Sequence, residues 1–369
     1  MKLVIQNTSR VWGGNEKWLA TVARGLVARG HEAVVSCAKG PVSERLRESG
    51  IRTTHHRPRG AIDPASAASF AWFLMRETPD ALLLTSWQPL VWGLLAGRAA
   101  KVPRMALRQG IVRSFPQSGV RARVMRDIDY IVIANSTEIR EAWLVSAPWF
   151  RPSAVKIVLN AVEPRLERRV DIRGKLRREI GLSGEDELLI GGAGHLAPRK
   201  GFDYLLRAFA SSAIPRSRVV IIGDGSHREE LKRLAVNLGI DERVTFLGHR
   251  DDGPELLAGL DLFVLSSHNE GMANVMLEAM AGGTPVIASD VSGVRRAIGT
   301  EDGRPPAGWI VPPANDDALS GALRRASAAI RGGSSQVSDY VSEASWRVQN
   351  WFSLRRMIDE CEGILFGKP

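Results

Sequence analysis

Residues 268–290 read HNEGMANVMLEAMAGGTPVIASD, and no other stretch of the chain is as informative about its fold. An apolar run that starts at Asp261 precedes it and predicts a buried strand, while residues 273–281 are rich in helix formers. Strand, glycine turn and helix therefore follow one another. Such a junction directs several backbone N–H groups and the positive end of a helix dipole at one place, which suits a phosphate group.

Two glutamates frame this junction. Glu270 stands at the turn beside Gly271, and Glu278 stands near the middle of the predicted helix, with seven residues between the two glutamates. From that position Glu278 could reach a ribose. Two acids that only cap and solubilise a helix are the alternative for any such pair, so the rest of the chain has to decide between the two interpretations.

This stretch resembles the Glu-x7-Glu signature of the retaining glycosyltransferases of family 4, which have a GT-B fold. Further segments resemble the same family in the same order. They are the first Gly-Gly loop with its helix end, 12–16 and 26–34, the segment 157–164 that leads into a second domain, the phosphate loop 194–201, and the strand ends 222–225 and 244–248. The matches span nearly the whole chain, which makes chance a poor explanation.

The resemblance implies an α/β protein of the GT-B class, with two Rossmann-like doubly wound domains that face each other across a cleft. It implies an acceptor-binding domain at 1–165, a nucleotide-sugar-binding domain at 166–341, and a C-terminal helix, 342–369, that crosses back to the first domain. Apolar strand patterns that alternate with helical patterns agree with this division. A chain of 369 residues also exceeds what one hydrophobic core normally serves.

The resemblance also supplies candidate site residues. The implied catalytic residues are Glu270, Lys200 and Gln109. The implied donor-binding residues are Gly13, Gly14, His195, Arg199, Lys200, His249, Arg250, Gly271, Met272, Ala273, Asn274, Val275 and Glu278. Lys200 is expected to hold the leaving phosphate, and the glycine loop at residue 13 is expected to approach the diphosphate. An ordinary β–α turn and a surface lysine are the alternatives for these two features.

The implied reaction moves a sugar from a nucleotide-diphosphate donor to a hydroxyl of a glycan, glycolipid or lipid-linked acceptor, in cell-surface polysaccharide or lipopolysaccharide synthesis. The anomeric configuration is retained. In the front-face route, the leaving-group oxygen takes the proton of the incoming hydroxyl while fixed positive groups hold the diphosphate. No cofactor and no metal are expected, because Lys200, its neighbours and the helix N-terminus supply the positive charge.

Two residues depart from the family pattern. His195 replaces the arginine expected after Gly194, and a histidine is charged only part of the time near neutral pH. Gln109 stands where the family often has a histidine, so it cannot act as a titrating base, although it can hydrogen-bond a sugar hydroxyl. A non-catalytic GT-B protein that binds a sugar nucleotide is therefore the alternative to an enzyme.

Positive charge is concentrated in residues 81–126, which contain eight basic residues and no acid, in a chain of formal net charge +10. Within this block, residues 113–126 mix basic and apolar side chains as a membrane-facing segment would. The apolar ones are Phe115, Val120, Val124 and Met125. An anionic membrane surface is thus a predicted partner, and a solvated basic face is the alternative. No nucleic-acid-binding motif accompanies the charge, so nucleic acid is not a predicted partner.

Composition and motifs also bear on the compartment and on competing functions. Cys37 and Cys361 are the only cysteines, which indicates a reducing cytosol, and the first residues predict a strand rather than a signal peptide. The expected location is the cytoplasm, including the inner face of its membrane.

A nicotinamide-dependent dehydrogenase could use the glycines of 192–197, but no acid closes a second strand about 20 residues on. Asp127 and Asp129 open an apolar strand, which disfavours a metal-dependent transferase that has the other major glycosyltransferase fold.

Overall fold

The computed structural model describes residues 1–56, 64–87, 90–111, 119–163, 169–182, 186–300 and 303–367. The chain forms two compact units, Met1–Asn160 with Arg355–Pro369, and Ala161–Leu354. Each unit has its own parallel sheet, of seven strands in the first and six in the second. The fold class is therefore α/β, as the sequence predicted.

The first unit is a doubly wound sheet. Its strands are β1 (Lys2–Gln6), β2 (Glu32–Cys37), β3 (Arg52–His55), β4 (Ala81–Leu84), β5 (Arg104–Gln109), β6 (Ile131–Ala134) and β7 (Val155–Ile157). Its first six helices are α1 (Gly14–Val27), α2 (Pro41–Glu48), α3 (Pro64–Glu77), α4 (Leu90–Ala99), α5 (Gly119–Asp127) and α6 (Thr137–Ser146). The strands lie in the order β3-β2-β1-β4-β5-β6-β7. Because this order reverses between β1 and β4, the loops after these strands flank the switch point at which α/β sheets bind ligands.

The second unit repeats this plan. Its strands are β8 (Leu188–Ala193), β9 (Ser217–Ile222), β10 (Val244–Gly248), β11 (Leu262–Leu265), β12 (Val286–Ser289) and β13 (Trp309–Val311). Its helices are α7 (Arg169–Glu179), α8 (Phe202–Ser212), α9 (Arg228–Asn237), α10 (Gly253–Leu256), α11 (Asn274–Ala281), α12 (Val294–Ile298), α13 (Asp316–Arg331) and α14 (Ser335–Asn350). The strand order β10-β9-β8-β11-β12-β13 places the switch point between β8 and β11.

Burial explains why these segments fold as they do. Every residue of β4 and β11 is buried, as expected for parallel strands that helices cover on both faces. Helix α8 buries Phe202, Leu205, Leu206 and Phe209 at helical spacing. Full burial of one such side chain contributes roughly 1.5–3 kcal/mol. This core holds the loops after β8 and β11 in fixed positions.

The C-terminal region divides between the two units. Helix α14 packs against α11, α12 and α13 within the second unit, whereas the last helix, α15 (Leu354–Phe366), packs in the first. Arg29 at the end of α1 forms ion pairs of 2.6 Å with Asp359 and Glu362 of α15. The sequence placed this boundary at 341, but the compact units divide at Leu354, because α14 buries Ala344 and Val348 in the second unit.

Candidate active site

The second unit brings two predicted catalytic residues together. Lys200 ends a 3-10 turn in the loop after β8, and Glu270 lies in the loop after β11, so the two residues flank the switch point. The ammonium of Lys200 donates a hydrogen bond to Glu270 Oε1. Both side chains are mostly buried, at 13% and 10% exposure. Ion pairs that are shielded from water in this way are screened much less than surface pairs.

The Glu270 carboxylate has two further neighbours. Ser267 Oγ donates to Oε1 over 3.0 Å, and the Ser267 side chain is buried. Arg199 Nη1 lies 3.9 Å from Oε2, and its side chain is 53% exposed. One hydroxyl and two cations therefore surround this carboxylate.

Gly201 fixes the distance between the two loops. Its φ of +61° lies in the left-handed region, and a Cβ atom on this residue would lie 2.1 Å from the Ser266 carbonyl oxygen. The backbone N–H of His268 donates to the Arg199 carbonyl over 2.9 Å and ties the same loops together. Only glycine combines this backbone angle with such a close approach. The pairing of Lys200 with Glu270 is thus built into the backbone.

The predicted phosphate-binding helix is α11. It begins at Asn274, and its N-cap residue, Ala273, offers no side-chain hydrogen bond to the first turn. Met272 and Ala273 are buried at 4% exposure each, and Glu278 lies in the middle of the helix, partly buried. An N-terminus of this kind directs backbone N–H groups and the positive end of the helix dipole outward, which favours an anion.

The remaining donor-binding candidates of this unit differ in their surroundings. His195 is exposed, and His249 is 62% exposed with Asp251 at 3.5 Å. The guanidinium of Arg250 forms ion pairs with Asp252 and Glu179. The hydrogen bonds that Arg250 donates to these two carboxylates, first to Asp252, raise the pKa of Arg250 above its ordinary value. Two acids therefore already balance the charge of Arg250, and its contact with a nucleotide base stays a prediction.

The glycine loop of the first unit rests on a buried carboxylate. Gly13 N–H donates to Glu16 Oε2 over 3.1 Å, which caps the start of α1, and Asn7 Nδ2 donates to Glu16 Oε1 over 3.0 Å. Asn7 also donates to Thr85 Oγ1, in the loop after β4, over 3.0 Å. Glu16 is only 4% exposed. The Gly13–Gly14 turn is thus held at the switch point of its own sheet.

Arg108 continues this buried polar network. Its guanidinium donates to Asn15 Oδ1 over 2.9 Å and to Asn160 Oδ1 over 3.2 Å, and lies 4.4 Å from the Trp18 ring centroid. Burial lowers the pKa of Arg108 to about 10. The sequence pattern did not single out Asn7, Glu16 or this role of Arg108, although polar residues at the ends of apolar strands are a usable signal.

Gln109 is held by two hydrogen bonds. Trp87 Nε1 donates to its Oε1 over 2.8 Å, and Gln109 Nε2 donates to the Ile111 carbonyl over 2.6 Å. The residue is 2% exposed. The structure therefore uses this amide to join the loops that follow β4 and β5.

The basic segment 81–126 does not expose all the side chains that the sequence predicted to lie on the surface. Arg121, Arg123 and Arg126 are exposed on α5, but Met125 is 1% exposed and Val124 is partly buried against the core. The prediction that these two apolar residues face a membrane is wrong, because they form the inner face of an amphipathic helix. Arg108 is likewise buried rather than on the surface. Arg113, Phe115 and the side chain of Val120 lie outside the described residues.

Metal-binding clusters and membrane-spanning helices are both absent from the residue ranges given above. Among those residues, no group of three or more His, Cys, Asp and Glu side chains is arranged to hold a metal ion. Within the same ranges, each helix is too short or too polar to cross a membrane.

Comparison with known proteins agrees with this geometry. The family described as "Glycosyl transferases group 1" matches residues 175–329, and "Glycosyltransferase Family 4" matches residues 12–166. The lipopolysaccharide core biosynthesis glycosyltransferase LpsE of Rhizobium meliloti (strain 1021) is 30% identical over 285 residues, which cover 76% of this chain and 77% of LpsE.

Solved structures show the same fold. Anabaena HepE in complex with UDP-glucose has a TM-score of 0.81 and 23% identity, with 98% of each chain covered. A glycosyltransferase from Rickettsia africae ESF-5 has a TM-score of 0.85 and 18% identity, with 98% of this chain and 97% of that chain covered. With the matches above, these likenesses identify the chain as a member of the glycosyltransferase group 1 family, a family 4 glycosyltransferase of the GT-B fold.

Proposed function

We propose that the protein transfers a sugar from a nucleotide-diphosphate donor to a hydroxyl acceptor, with retention of the anomeric configuration. The observation that carries this proposal is the buried pair of Lys200 and Glu270 at the switch point of the second unit. HepE, which was solved with UDP-glucose, supports a sugar nucleotide as the donor. LpsE supports an acceptor from lipopolysaccharide core synthesis or a related cell-surface glycan.

The chemistry follows from the positive charge around the site. Lys200, Arg199 and the N-terminus of α11 stabilise the charge that develops on the leaving diphosphate, so electrostatic preorganisation lowers the barrier. The leaving oxygen takes the proton of the incoming hydroxyl, and no protein base is needed. Glu270 accepts a hydrogen bond from a hydroxyl of the donor sugar. Because protein groups supply the charge, the reaction is proposed to be independent of a metal ion and of any cofactor.

The proposed working place of the enzyme is the cytoplasmic face of a membrane, where a lipid-linked acceptor lies. The side chains of Arg121, Arg123 and Arg126 are all exposed on α5. Helix α4, which packs against α5, exposes Leu95, at 41%, and α3, which packs against α4, exposes Trp72, at 59%. A surface that combines arginines with exposed apolar side chains suits the headgroup region of an anionic leaflet.

Ligand-dependent thermal unfolding tests the donor proposal. A ligand that binds only the folded state stabilises it by about 2.7 kcal/mol at one hundred times its Kd. We expect one or two members of a panel of UDP-, GDP-, ADP- and dTDP-sugars to raise the melting temperature by several degrees, since 1 kcal/mol shifts a domain of 150–250 residues by about 2–4 °C. No shift with any sugar nucleotide at millimolar concentration would contradict the proposal.

The same panel tests metal independence. Repeating it with excess EDTA should leave each thermal shift unchanged, because Lys200, Arg199 and the α11 N-terminus already supply the positive charge. Added Mg²⁺ or Mn²⁺ should likewise have no effect. A shift that disappears in EDTA and returns with a divalent ion would count against metal-independent binding while leaving the sugar-nucleotide donor in place.

A further inference from the structure

The Lys200 ammonium already has an anionic partner within the protein. Glu270 binds it directly, and the two side chains are among the least exposed charged groups of the second unit. Under the proposed function, the same ammonium binds the donor diphosphate. One mostly buried lysine cannot give its full charge to a carboxylate and to a diphosphate at once. The two anions therefore compete for it.

We infer that Glu270 is a counter-ion which the donor diphosphate displaces from Lys200, so that binding of the diphosphate releases Glu270 to recognise the sugar. This inference rests on the proposed function. It adds a reason why the two residues lie in contact, and it couples recognition of the phosphate to recognition of the sugar.

The surroundings of Glu270 permit such an exchange. A buried carboxylate that loses its cation is costly unless other groups stabilise it. Ser267 Oγ already donates to Oε1 over 3.0 Å, and Arg199 lies 3.9 Å from Oε2 with a half-exposed side chain that has room to move closer. Glu270 thus remains charged and hydrogen-bonded after Lys200 turns to the diphosphate. Its freed lone pairs can then accept a hydroxyl of the donor sugar.

The exchange predicts a preference for the whole donor over the nucleoside diphosphate alone. Both ligands must displace Glu270, but only a sugar nucleotide brings a hydroxyl that replaces the lost Lys200 contact. The carboxylate therefore weakens binding of the nucleoside diphosphate, which is the product of the transfer reaction. A site that binds its product weakly releases it faster, since affinity differences between related ligands lie mostly in the dissociation rate.

Titration calorimetry of the wild type and three variants tests this exchange. UDP, GDP, ADP and dTDP are each titrated into the wild type, Glu270→Gln, Lys200→Met and the double variant. Glutamine keeps the size of the side chain and an acceptor for Ser267 but removes the competing charge. We expect Glu270→Gln to bind the preferred nucleoside diphosphate about tenfold more tightly, which equals about 1.4 kcal/mol. In the Lys200→Met background, the same substitution should change the affinity by less than about twofold, which is about 0.4 kcal/mol.

Glu229→Gln is the matched control. Glu229 forms a 2.9 Å pair with Lys232 on α9, and both side chains are largely exposed, so this variant makes the same change in net charge at a Lys–Glu pair of the same unit. Its affinity should equal that of the wild type. Equal or weaker binding by Glu270→Gln, or an equal gain in the Lys200→Met background, overturns the inference alone. If neither the wild type nor Glu270→Gln binds any of the four nucleotides, the proposed function is overturned, and the inference with it.

Discussion

Replacing Glu270 or Lys200 by alanine is expected to lower the rate of sugar transfer by about 10²–10³-fold, the effect that loss of one preorganised charge-stabilising group has in other enzymes. Lys200→Ala removes a cation that the leaving diphosphate needs. Glu270→Ala removes the group that orients the donor sugar and leaves Lys200 without its partner. Steady-state kinetics measure both losses. The donor is the sugar nucleotide that raises the melting temperature of the protein, and an extract supplies the acceptor.

The fold should survive both substitutions. Each residue lies on a loop after a strand, so little apolar packing is lost, and circular dichroism with a cooperative melting curve checks this. Glu229→Ala and Lys232→Ala remove the ion pair on α9, which lies outside the proposed site, and should leave the rate within about twofold. Surface pairs contribute only about 0–1 kcal/mol to the free energy of unfolding, so these variants should also stay folded. Near-wild-type turnover in a folded Lys200→Ala or Glu270→Ala variant would refute the site assignment.

The second large effect concerns the basic surface of α5. Changing Arg121, Arg123 and Arg126 to glutamine should weaken binding to anionic vesicles by on the order of 100-fold, since each cation contributes about 1 kcal/mol near such a leaflet. The electrostatic attraction decays within a Debye length of about 8 Å at physiological salt. Wild-type binding should therefore fall steeply as salt rises. Cosedimentation with vesicles of graded anionic lipid content measures both effects.

A control triple variant separates this surface from total charge. Arg216, Arg233 and Arg325 are exposed in the second unit, and their replacement by glutamine changes the net charge by the same amount. This variant should sediment like the wild type. Equal sedimentation of the α5 variant and the wild type, or binding that ignores lipid charge, would favour an acceptor that is free in solution.

The sequence predicted the strands and helices well where they carry a long apolar pattern. The strands of both sheet centres are apolar runs, and the Glu-x7-Glu stretch forms the predicted turn and helix directly after the predicted strand. The pattern missed the short strands β3, β7 and β13, of three or four residues each. β3 reads RTTH and is partly exposed, so it carries no apolar signal. Its place in the sheet is set by pairing with β2.

The sequence predicts candidate site residues more readily than the contacts between them. Lys200 and Glu270 are 70 positions apart, and their pairing depends on the neighbouring positions of β8 and β11, which no local pattern encodes. Arg108 counted as one cation of a surface block, but contacts with Asn15, Asn160 and Trp18 bury it. Tertiary packing decides which member of a charged segment faces water.

The stereochemistry of donor cleavage tests whether the protein transfers a sugar with retention of the anomeric configuration. An α-linked sugar nucleotide that raises the melting temperature is incubated with the protein. ¹H NMR follows the anomeric proton of the product before mutarotation. Retaining transfer, to the acceptor or slowly to water, predicts release of the nucleoside diphosphate together with an α-configured product, and loss of both in the Lys200→Ala variant. A β-configured first product would contradict the proposed retaining transfer. So would the absence of nucleoside diphosphate with every sugar nucleotide that raises the melting temperature.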